Sequence, residues 1–368
     1  MHKIERLLHT LAPKGVEFRK LGEVLEYDQP NKYCVTSKEF DKSYPTPVLT
    51  AGKTFILGYT NEKDNIYQAS KSSPVIIFDD FTTATQWVDF PFKVKSSAMK
   101  ILLPKNPTIN IRFIFFYMQT IPYNISGEHT RQWISRYSQI TIPIPPLEIQ
   151  QEIVTILDAF TELNTELNTE LNARKKQYEY YQNMLLDFND INQNHKDAKE
   201  KLAQKPYPKR LKTLLHTLAP KGVGFRKLGE VCDFQKGKSI TKKAVTFGKV
   251  PVISGGRQPA YYHNEANRSG ETIAISSSGV YAGYVSYWDI PVFLADSFSV
   301  SPKQKTLMPK YLFHYLITQQ DAIHATKSTG GIPHVYSKDL QNFLIPIPPL
   351  EIQQEIVKIL DQFLALTT

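Results

Sequence analysis

The sequence predicts an α+β protein in which one mixed fold is present twice, with a helical spacer between the two copies. Two repeats support this prediction. Residues 142–160 and 345–363 are identical at seventeen of nineteen positions, and residues 7–24 and 214–231 differ at a single position. Because the two motifs alternate along the chain, they define a cycle of variable region, helix, variable region, helix.

Each copy of the longer motif predicts a strand exit followed by an amphipathic helix. The double prolines at 145–146 and 348–349 favour a helical φ just before the first turn. Apolar residues then recur at spacings of four and three, a period that requires a partner helix. We therefore expect the two helices to pack on each other through a seam formed by Ile149, Ile153, Ile156, Phe160 and Leu163 and by Ile352, Ile356, Ile359, Phe363 and Leu366.

The two variable regions resemble each other in outline. RFIFFYM at 112–118 parallels KYLFHYL at 310–316, and both segments predict aromatic amphipathic helices. Short β-rich runs occur at 75–78, 99–103, 272–276, 285–288 and 298–300. Strands and helices do not alternate regularly, so each copy is predicted to be α+β. The predicted segments are an N-terminal repeat (1–15), a first domain (16–145), a spacer helix with a connector (146–210), a second domain (211–348) and a short second spacer helix (349–368).

The first spacer helix contains a tandem repeat. TELN occurs three times in succession from Thr161 to Asn172, and a pattern of Tyr and Leu then continues to Phe188. Residues 187–210 are polar and contain Pro206 and Pro208, so we expect a solvated connector there.

Composition limits the class of protein. The chain has 368 residues, 41% of them hydrophobic, and a net charge of +9, which favours a polyanionic partner. Only Cys34 and Cys232 are present, which excludes a disulfide framework and fits a reducing cytoplasm. The N-terminus does not resemble a signal peptide, and no apolar run is long enough to cross a membrane.

The motifs of common enzymes are incomplete. Lys238 belongs to a Gly-Lys-Ser run, but Cys232 stands where a phosphate-binding loop requires its leading glycine. For the adjacent pair Asp79-Asp80, a turn or cap role is favoured over metal binding. His9 and His216 lack other ligands at suitable spacing, so we interpret them as surface or interface residues. The sequence therefore predicts no catalytic and no metal-binding residue.

The order of the repeats resembles the specificity subunit of type I restriction–modification enzymes. The resemblance rests on FRKLGEV at 18–24 and 225–231 and on PIPPLEIQQEIV at 143–154 and 346–357. It implies two target-recognition domains, each reading one half of a split double-stranded DNA site, and an antiparallel two-helix spacer. It also implies a non-catalytic subunit of a restriction endonuclease and adenine methyltransferase complex. S-adenosylmethionine, ATP and Mg would then be bound by partner methylation and restriction subunits.

One departure from the family pattern concerns the second spacer helix. It has no counterpart to residues 166–206 of the first helix and its connector. Residues 1–12 resemble 208–219, so the N-terminal segment is a candidate for part of the missing partner. Otherwise, the distal half of the first helix is unpaired or meets a second copy of the chain.

Candidate DNA-binding residues are polar and aromatic loop residues at which the two copies differ. Arg suits guanine and Gln suits adenine, whereas Lys more often binds phosphate. In the first domain they are Lys53, Thr83, Thr85, Gln86, Arg131, Gln132 and Arg136. In the second they are Lys236, Lys238, Arg257, Gln258, Tyr262, Ser277, Lys327, His334 and Tyr336. We expect about half to be ordinary solvated loop residues. Tyr262, Tyr336 and Trp133 are as consistent with aromatic packing in the core or the loops as with stacking on bases.

The competing function is a non-enzymatic coiled-coil scaffold whose duplicated domains bind protein or glycan. Steeply salt-dependent, sequence-specific binding to duplex DNA would separate the two hypotheses. A self-contained methyltransferase or nuclease ranks third, because it would need a cofactor or metal motif that the sequence does not contain.

Overall fold

The computed structural model describes residues 3–50, 54–122, 131–194, 196–303, 305–328 and 331–365. The chain divides into two compact units, Met1–Glu166 and Leu167–Thr368. Among the described residues, every helix is too short or too polar to cross a membrane.

The first unit contains a four-stranded sheet in the order β2-β8-β5-β6, a three-stranded sheet in the order β4-β3-β7 and the ribbon β1-β9. Its strands are β1 (Glu17–Lys20), β2 (Leu25–Asp28), β3 (Thr46–Leu49), β4 (Ile56–Thr60), β5 (Val75–Asp79), β6 (Thr85–Val88), β7 (Lys93–Val94), β8 (Met99–Pro104) and β9 (Thr141–Ile144). Its helices are α1 (Lys3–Leu11), α2 (Leu21–Val24), α3 (Ile111–Gln119), α4 (Gln132–Ser135) and the first half of α5 (Leu147–Leu186).

The second unit repeats this plan with sheets β11-β17-β14-β15 and β13-β12-β16 and the ribbon β10-β18. Its strands are β10 (Phe225–Lys227), β11 (Cys232–Lys236), β12 (Val250–Ile253), β13 (Tyr261–His263), β14 (Thr272–Ser276), β15 (Val285–Trp288), β16 (Phe293–Leu294), β17 (Ser297–Pro302) and β18 (Leu344–Pro346). Its helices are the second half of α5, α6 (Ala198–Gln204), α7 (Lys209–Leu218), α8 (Leu228–Val231), α9 (Pro309–Thr318), α10 (Gln320–Ala325), α11 (Ser337–Leu340) and α12 (Leu350–Ala365).

The two units therefore share one topology, which confirms the predicted duplication of an α+β fold. The predicted β-rich runs all lie in strands, namely β5, β8, β14, β15 and β17. The two predicted aromatic helices are α3 and α9.

The four-stranded sheet of the first unit is buried on both faces. Ile76 of β5 packs on one face with Trp133 of α4. Its neighbour Ile77 points to the opposite face and packs with Leu49 of the three-stranded sheet. Because both faces are covered, β5 is a continuous apolar run rather than an alternating one.

Each spacer helix has a buried glutamine in its first turn. The Gln150 side chain donates to the carbonyls of Pro145 (2.8 Å) and Thr108 (3.1 Å) and accepts from the backbone N–H of Asn110 (2.8 Å). Gln353 makes the three equivalent bonds at the start of α12. These bonds join the first turn of each helix to the segment before α3 or α9.

A repeated ion pair joins the short helices α1 and α7 to the spacer helices α5 and α12, respectively. The Lys3 ammonium of α1 lies 2.5 Å from the Glu152 carboxylate of α5. Arg210 of α7 lies 3.0 Å from Glu355 of α12. The N-terminal segment thus contacts the first spacer helix in the way that α7 contacts the second.

A second repeated ion pair joins the spacer helices to the aromatic helices. Arg112 of α3 lies 2.8 Å from Asp158 of α5. Lys310 of α9 lies 2.7 Å from Asp361 of α12. Each spacer helix is therefore held to its own unit by one glutamine and two ion pairs.

The predicted seam residues have different environments. Ile149 is buried at the start of α5, and Ile153 packs on the core of the first unit, whereas Phe160 and Leu163 are exposed. In α12, Ile352 and Ile356 are buried in the core of the second unit and Ile359 packs against it.

Phe363 of α12 stacks on Tyr181 of α5, with the ring centroids 4.6 Å apart. Ile156 is half-buried, and Leu366 lies outside the described residues. Packing of one seam on the other stays a prediction.

The expectation of a solvated connector after α5 was wrong. Phe188 and Ile191 follow α5 directly and are buried, as are Leu202 of α6 and Tyr207. The Tyr207 hydroxyl also donates to the Asp187 carbonyl (3.1 Å). Most polar residues of this segment face solvent, and its few apolar residues pack on the core of the second unit. The overall polarity of the segment therefore gave no sign of this packing.

Candidate nucleic-acid interface

In the first unit, the β5–β6 loop is joined to the start of α4. Asp79 closes the loop as a turn, because its carboxylate accepts from the Thr82 backbone N–H (3.3 Å) and hydroxyl (2.6 Å). Asp80 caps α4: its carboxylate accepts from the N–H of Trp133 and its carbonyl from that of Gln132, both at 2.8 Å. The interpretation of these aspartates as turn and cap residues is confirmed.

A buried charge pair lies beneath this loop. Lys100 is 1% exposed, and its ammonium lies 3.6 Å from the Asp80 Oδ2 atom, which has no hydrogen bond among the described residues. Lys100 also donates to the Gln29 side chain and lies 4.5 Å above the Tyr27 ring. Burial lowers the pKa of Lys100; the Asp80 charge opposes this shift, and the nearby Arg131 guanidinium adds to it. Arg131 therefore adds a second cation beside the buried Lys100–Asp80 pair.

The predicted DNA-binding residues of the first unit surround this loop. They are Thr83 in the β5–β6 loop, Thr85 and Gln86 on β6, Arg131 just before α4 and Arg136 just after it. Gln86, Arg131 and Arg136 are exposed. Gln132 is 1% exposed, so its side chain belongs to the interior of the unit. Lys53 lies outside the described residues.

The second unit has an equivalent pair of loops. The Val335 N–H donates to the Ser277 carbonyl (3.0 Å), which reproduces the backbone bond at Asp80 in the first unit. One step further, the Gly279 N–H donates to the Pro333 carbonyl (3.0 Å). Backbone bonds therefore hold the β14–β15 loop against the loop before α11.

Aromatic and basic residues cover this loop pair. The Arg257 guanidinium lies 5.0 Å above the Tyr281 ring and 5.7 Å above the Tyr284 ring. The rings of His334 and Tyr336 stack with centroids 5.9 Å apart and an interplanar angle of 16°. Stacking fixes these side chains at the surface, where Arg257 and Tyr336 remain exposed.

The other predicted residues of the second unit occupy three places. They are Lys327, whose ammonium donates to the Val280 carbonyl (3.4 Å), Gln258 and Tyr262 on the β12–β13 hairpin, and Lys236 and Lys238 at and beyond the end of β11. Lys327 therefore contacts the loop pair directly. Gln258, Tyr262, Lys236 and Lys238 are all exposed.

Sequence reasoning missed several residues of the same surface. Lys338 lies 5.4 Å above the Tyr336 ring, and Tyr281 packs under Arg257. Val280 and Ile332 are exposed apolar residues at the loop tips. The choice of polar and aromatic residues excluded these two by type, although the glycines before them, Gly279 and Gly331, were a usable turn signal.

The described residues contain no cluster of three or more His, Cys, Asp or Glu side chains placed to hold a metal ion. His9 and His216 are both exposed. Burial raises the pKa of the Cys232 thiol to about 12, so this buried cysteine is protonated at neutral pH.

Comparisons with known proteins agree with this arrangement. A family model described as "Type I restriction modification DNA specificity domain" matches residues 13–176 and 220–368. The EcoR124I/EcoR124II type I restriction enzyme specificity subunit of Escherichia coli is 40% identical over 400 residues, covering 100% of this chain and 90% of that protein. A putative type I specificity subunit of Haemophilus influenzae is 29% identical, covering 99% and 91%. The crystal structure of an S subunit from M. genitalium matches the fold with a TM-score of 0.68 at 18% identity, covering 96% of this chain and 91% of that one.

Proposed function

Because this chain belongs to the type I restriction–modification DNA specificity family, we propose that each unit reads one half of a split double-stranded DNA target. The chain is the non-catalytic specificity subunit, and it directs methylation subunits, and restriction subunits through them, to that target. The scaffold alternative is not favoured, since the family model covers both units.

DNA contact is assigned to these loops because their side chains differ between the two units, whereas the bonds that hold the surrounding elements in place are the same. The same glutamine anchor and ion pairs recur in both units. The same backbone bond joins the loop after β5 to the start of α4 and the loop after β14 to the segment just before α11. The side chains on these loops differ between the units, as expected where two domains read different sequences on one scaffold.

The character of the loops supports DNA contact. Arg131 and Arg136 in the first unit and Arg257, Lys327 and Lys338 in the second supply charge for phosphates and donors for guanine. The stacked His334–Tyr336 pair would add a rigid aromatic surface. The spacer helix would set the length of DNA between the two half-sites.

The division of labour within the complex follows from this role. We propose that S-adenosylmethionine, ATP and Mg are bound by the methylation and restriction subunits. We also propose that the protein acts in the cytoplasm, where a bacterial restriction system meets its DNA.

Selection from a random duplex library tests the proposal. The chain, co-purified with its methylation subunits, should enrich duplexes that carry two short constant blocks separated by a gap of fixed length. Affinity for an enriched duplex should fall steeply between 50 and 200 mM salt, by about 10³-fold or more, because phosphate contacts release counterions. Enrichment of no sequence, with binding to a protein or glycan instead, would favour the scaffold.

A further inference from the structure

Two exposed branched apolar side chains, Val280 and Ile332, lie at the tips of the second unit's loop pair. Ser278 and His334 form an antiparallel bridge. The Gly279–Pro333 bond is the next step of this pairing. Val280 directly follows Gly279 and Ile332 directly precedes Pro333, so each lies one residue from this bond.

These side chains are held in solvent by the backbone. Val280 is 81% exposed and Ile332 is 65% exposed. Each follows a glycine with positive φ, Gly279 at 84° and Gly331 at 74°, a conformation that fixes the turn and that L side chains rarely adopt. The loop pair therefore presents two branched apolar side chains to solvent at bonded tips, within a surface that is otherwise basic and aromatic.

The surroundings of these two apolar side chains indicate their partner. The Lys327 ammonium donates to the Val280 carbonyl (3.4 Å), and His334 of the same pairing stacks on Tyr336, with Lys338 above that ring. An apolar tip within a basic and aromatic surface matches the major groove. There, phosphates flank the bases, and the 5-methyl group of thymine is the apolar feature of the base edges.

We propose that Val280 and Ile332 form an apolar tip that recognises thymine 5-methyl groups in the half-site read by the second unit. The inference rests on the proposed DNA-reading function and adds a chemical specificity to it. Removing one buried methyl contact should weaken binding by about fourfold.

The test replaces thymine by deoxyuridine, which removes only the methyl group. Once the split site is known, duplexes with single replacements in each half-site compete for the complex of the full chain with its methylation subunits. The wild-type complex should bind about fourfold more weakly when one or two particular thymines of the second half-site are replaced. The variant Val280→Ala/Ile332→Ala should bind the unmodified duplex more weakly and lose this methyl dependence.

Matched controls separate the tip from general effects. Ile290→Ala removes an exposed apolar side chain beyond the far end of β15 and should keep the methyl dependence. Ile134→Ala removes an exposed apolar side chain of α4 in the first unit, between Arg131 and Arg136. Any effect should be confined to the first half-site, so this variant should also keep the methyl dependence of the second. Because all four side chains are exposed, each variant should unfold at the wild-type temperature.

The outcomes also distinguish this inference from the proposed function. If no split site is selected, the proposed function fails. If a split site is selected but its second half contains no thymine, or deoxyuridine changes nothing, only the methyl-reading inference is overturned. That inference is also overturned if the double variant keeps methyl dependence and instead loses its methylation subunits, because the tip would then be a protein contact.

Discussion

Arg131 combines exposure with a fixed electrostatic setting. The Asp80–Lys100 pair beneath it is buried, and the Asp80 carboxylate also caps the helix that Arg131 precedes. An exposed arginine side chain at such a loop edge can donate two hydrogen bonds to guanine or contact a phosphate.

The variant Arg131→Ala should alter or weaken recognition of one half-site only. A lost base contact would reduce discrimination there by about 1–3 kcal/mol. Competition binding at fixed salt, with duplexes mutated in each half-site, measures this change. Arg257→Ala in the second unit is the matched control and should affect the opposite half-site. Equal weakening at both half-sites would contradict the assignment of one half-site to each unit.

A second residue-scale feature is the Glu62–Lys93 ion pair of the first unit. The carboxylate lies 2.8 Å from the Lys93 ammonium, which is almost fully buried, and it accepts hydrogen bonds from the Ser37 backbone (2.7 Å) and from Thr36. Burial alone would raise the pKa of Glu62, but the Lys93 ammonium and the Ser37 and Thr36 bonds lower it from 4.5 to about 2.

The lowered pKa predicts acid sensitivity with a definite sign. Between about pH 4.5 and 2 the unfolded state binds the Glu62 proton more tightly than the folded state does. Stability from this pair is therefore complete above pH 4.5 and is lost as the pH falls towards 2. Glu62→Gln should unfold more easily at neutral pH and show a smaller further loss in acid, measured by urea denaturation across this range. Glu39→Gln, an exposed carboxylate nearby, should retain the wild-type pH profile; an unchanged profile for Glu62→Gln would contradict the account.

Some residue roles were predictable from sequence, and others depended on burial. The turn role of Asp79 followed from local chemistry, since Asp before Thr forms such turns without help from the rest of the fold. Gln132 and Trp133 are the first two residues of α4, in a region that differs between the units, and both are buried. Tyr262 and Tyr336 are exposed, whereas Trp133 is buried. Tertiary packing decides this difference, and the neighbouring residues in the sequence do not reveal it.

At the scale of elements, the buried glutamines are the most specific anchors of the spacer helices. Gln150→Leu would leave two carbonyls and one N–H without their partner, a loss of about 2–4 kcal/mol in the free energy of unfolding. Gln353→Leu should have a similar effect on the second unit. The exposed neighbours provide controls, so Gln151→Leu and Gln354→Leu should change stability by less than about 0.5 kcal/mol. Equal effects at neighbour and anchor would show that these bonds do not matter.

The TELN tandem predicts how the helix sets the distance between half-sites. Its residues from Thr161 to Glu170 are exposed on α5, so a unit can be removed without opening a core. Deleting residues 165–168 shortens the helix by ~6 Å and rotates its ends by ~40°. At about 3.4 Å per base pair, the preferred gap should shorten by one or two base pairs while both half-sites stay the same.

The shorter gap should result from the shorter helix and not from the loss of particular TELN side chains. Asn168→Ala/Asn172→Ala keeps the helix at its full length and should keep the wild-type gap, as mapped by methylation. A deletion variant with altered half-sites and an unchanged gap would contradict the role of the helix as a spacer.

Elements with a strong local signal were predicted well. The start of α5 and α12 follows from the double proline and the periodic isoleucines, which act within one turn. The connector was predicted poorly, because four apolar residues in a polar segment give no period, yet they are sufficient to dock it. The shared topology of the units was visible through the repeats that frame them.

At the scale of the whole molecule, one fold occurs twice along a chain that also carries a continuous 40-residue helix. The framework bonds of the two units are the same pair by pair, whereas the loops at the corresponding edge differ. This combination suits a reader of two different half-sites. The catalytic chemistry of the restriction system then resides in its partner subunits.

Genome-wide mapping of methylated bases tests this account most directly. The chain and its methylation subunits would be expressed in a host that lacks other methyltransferases. A chain that reads two half-sites at a set distance should produce a single split motif, with two constant blocks and a gap of one fixed length. A continuous motif, a variable gap, or no methylation by subunits that are active with another specificity subunit would contradict it.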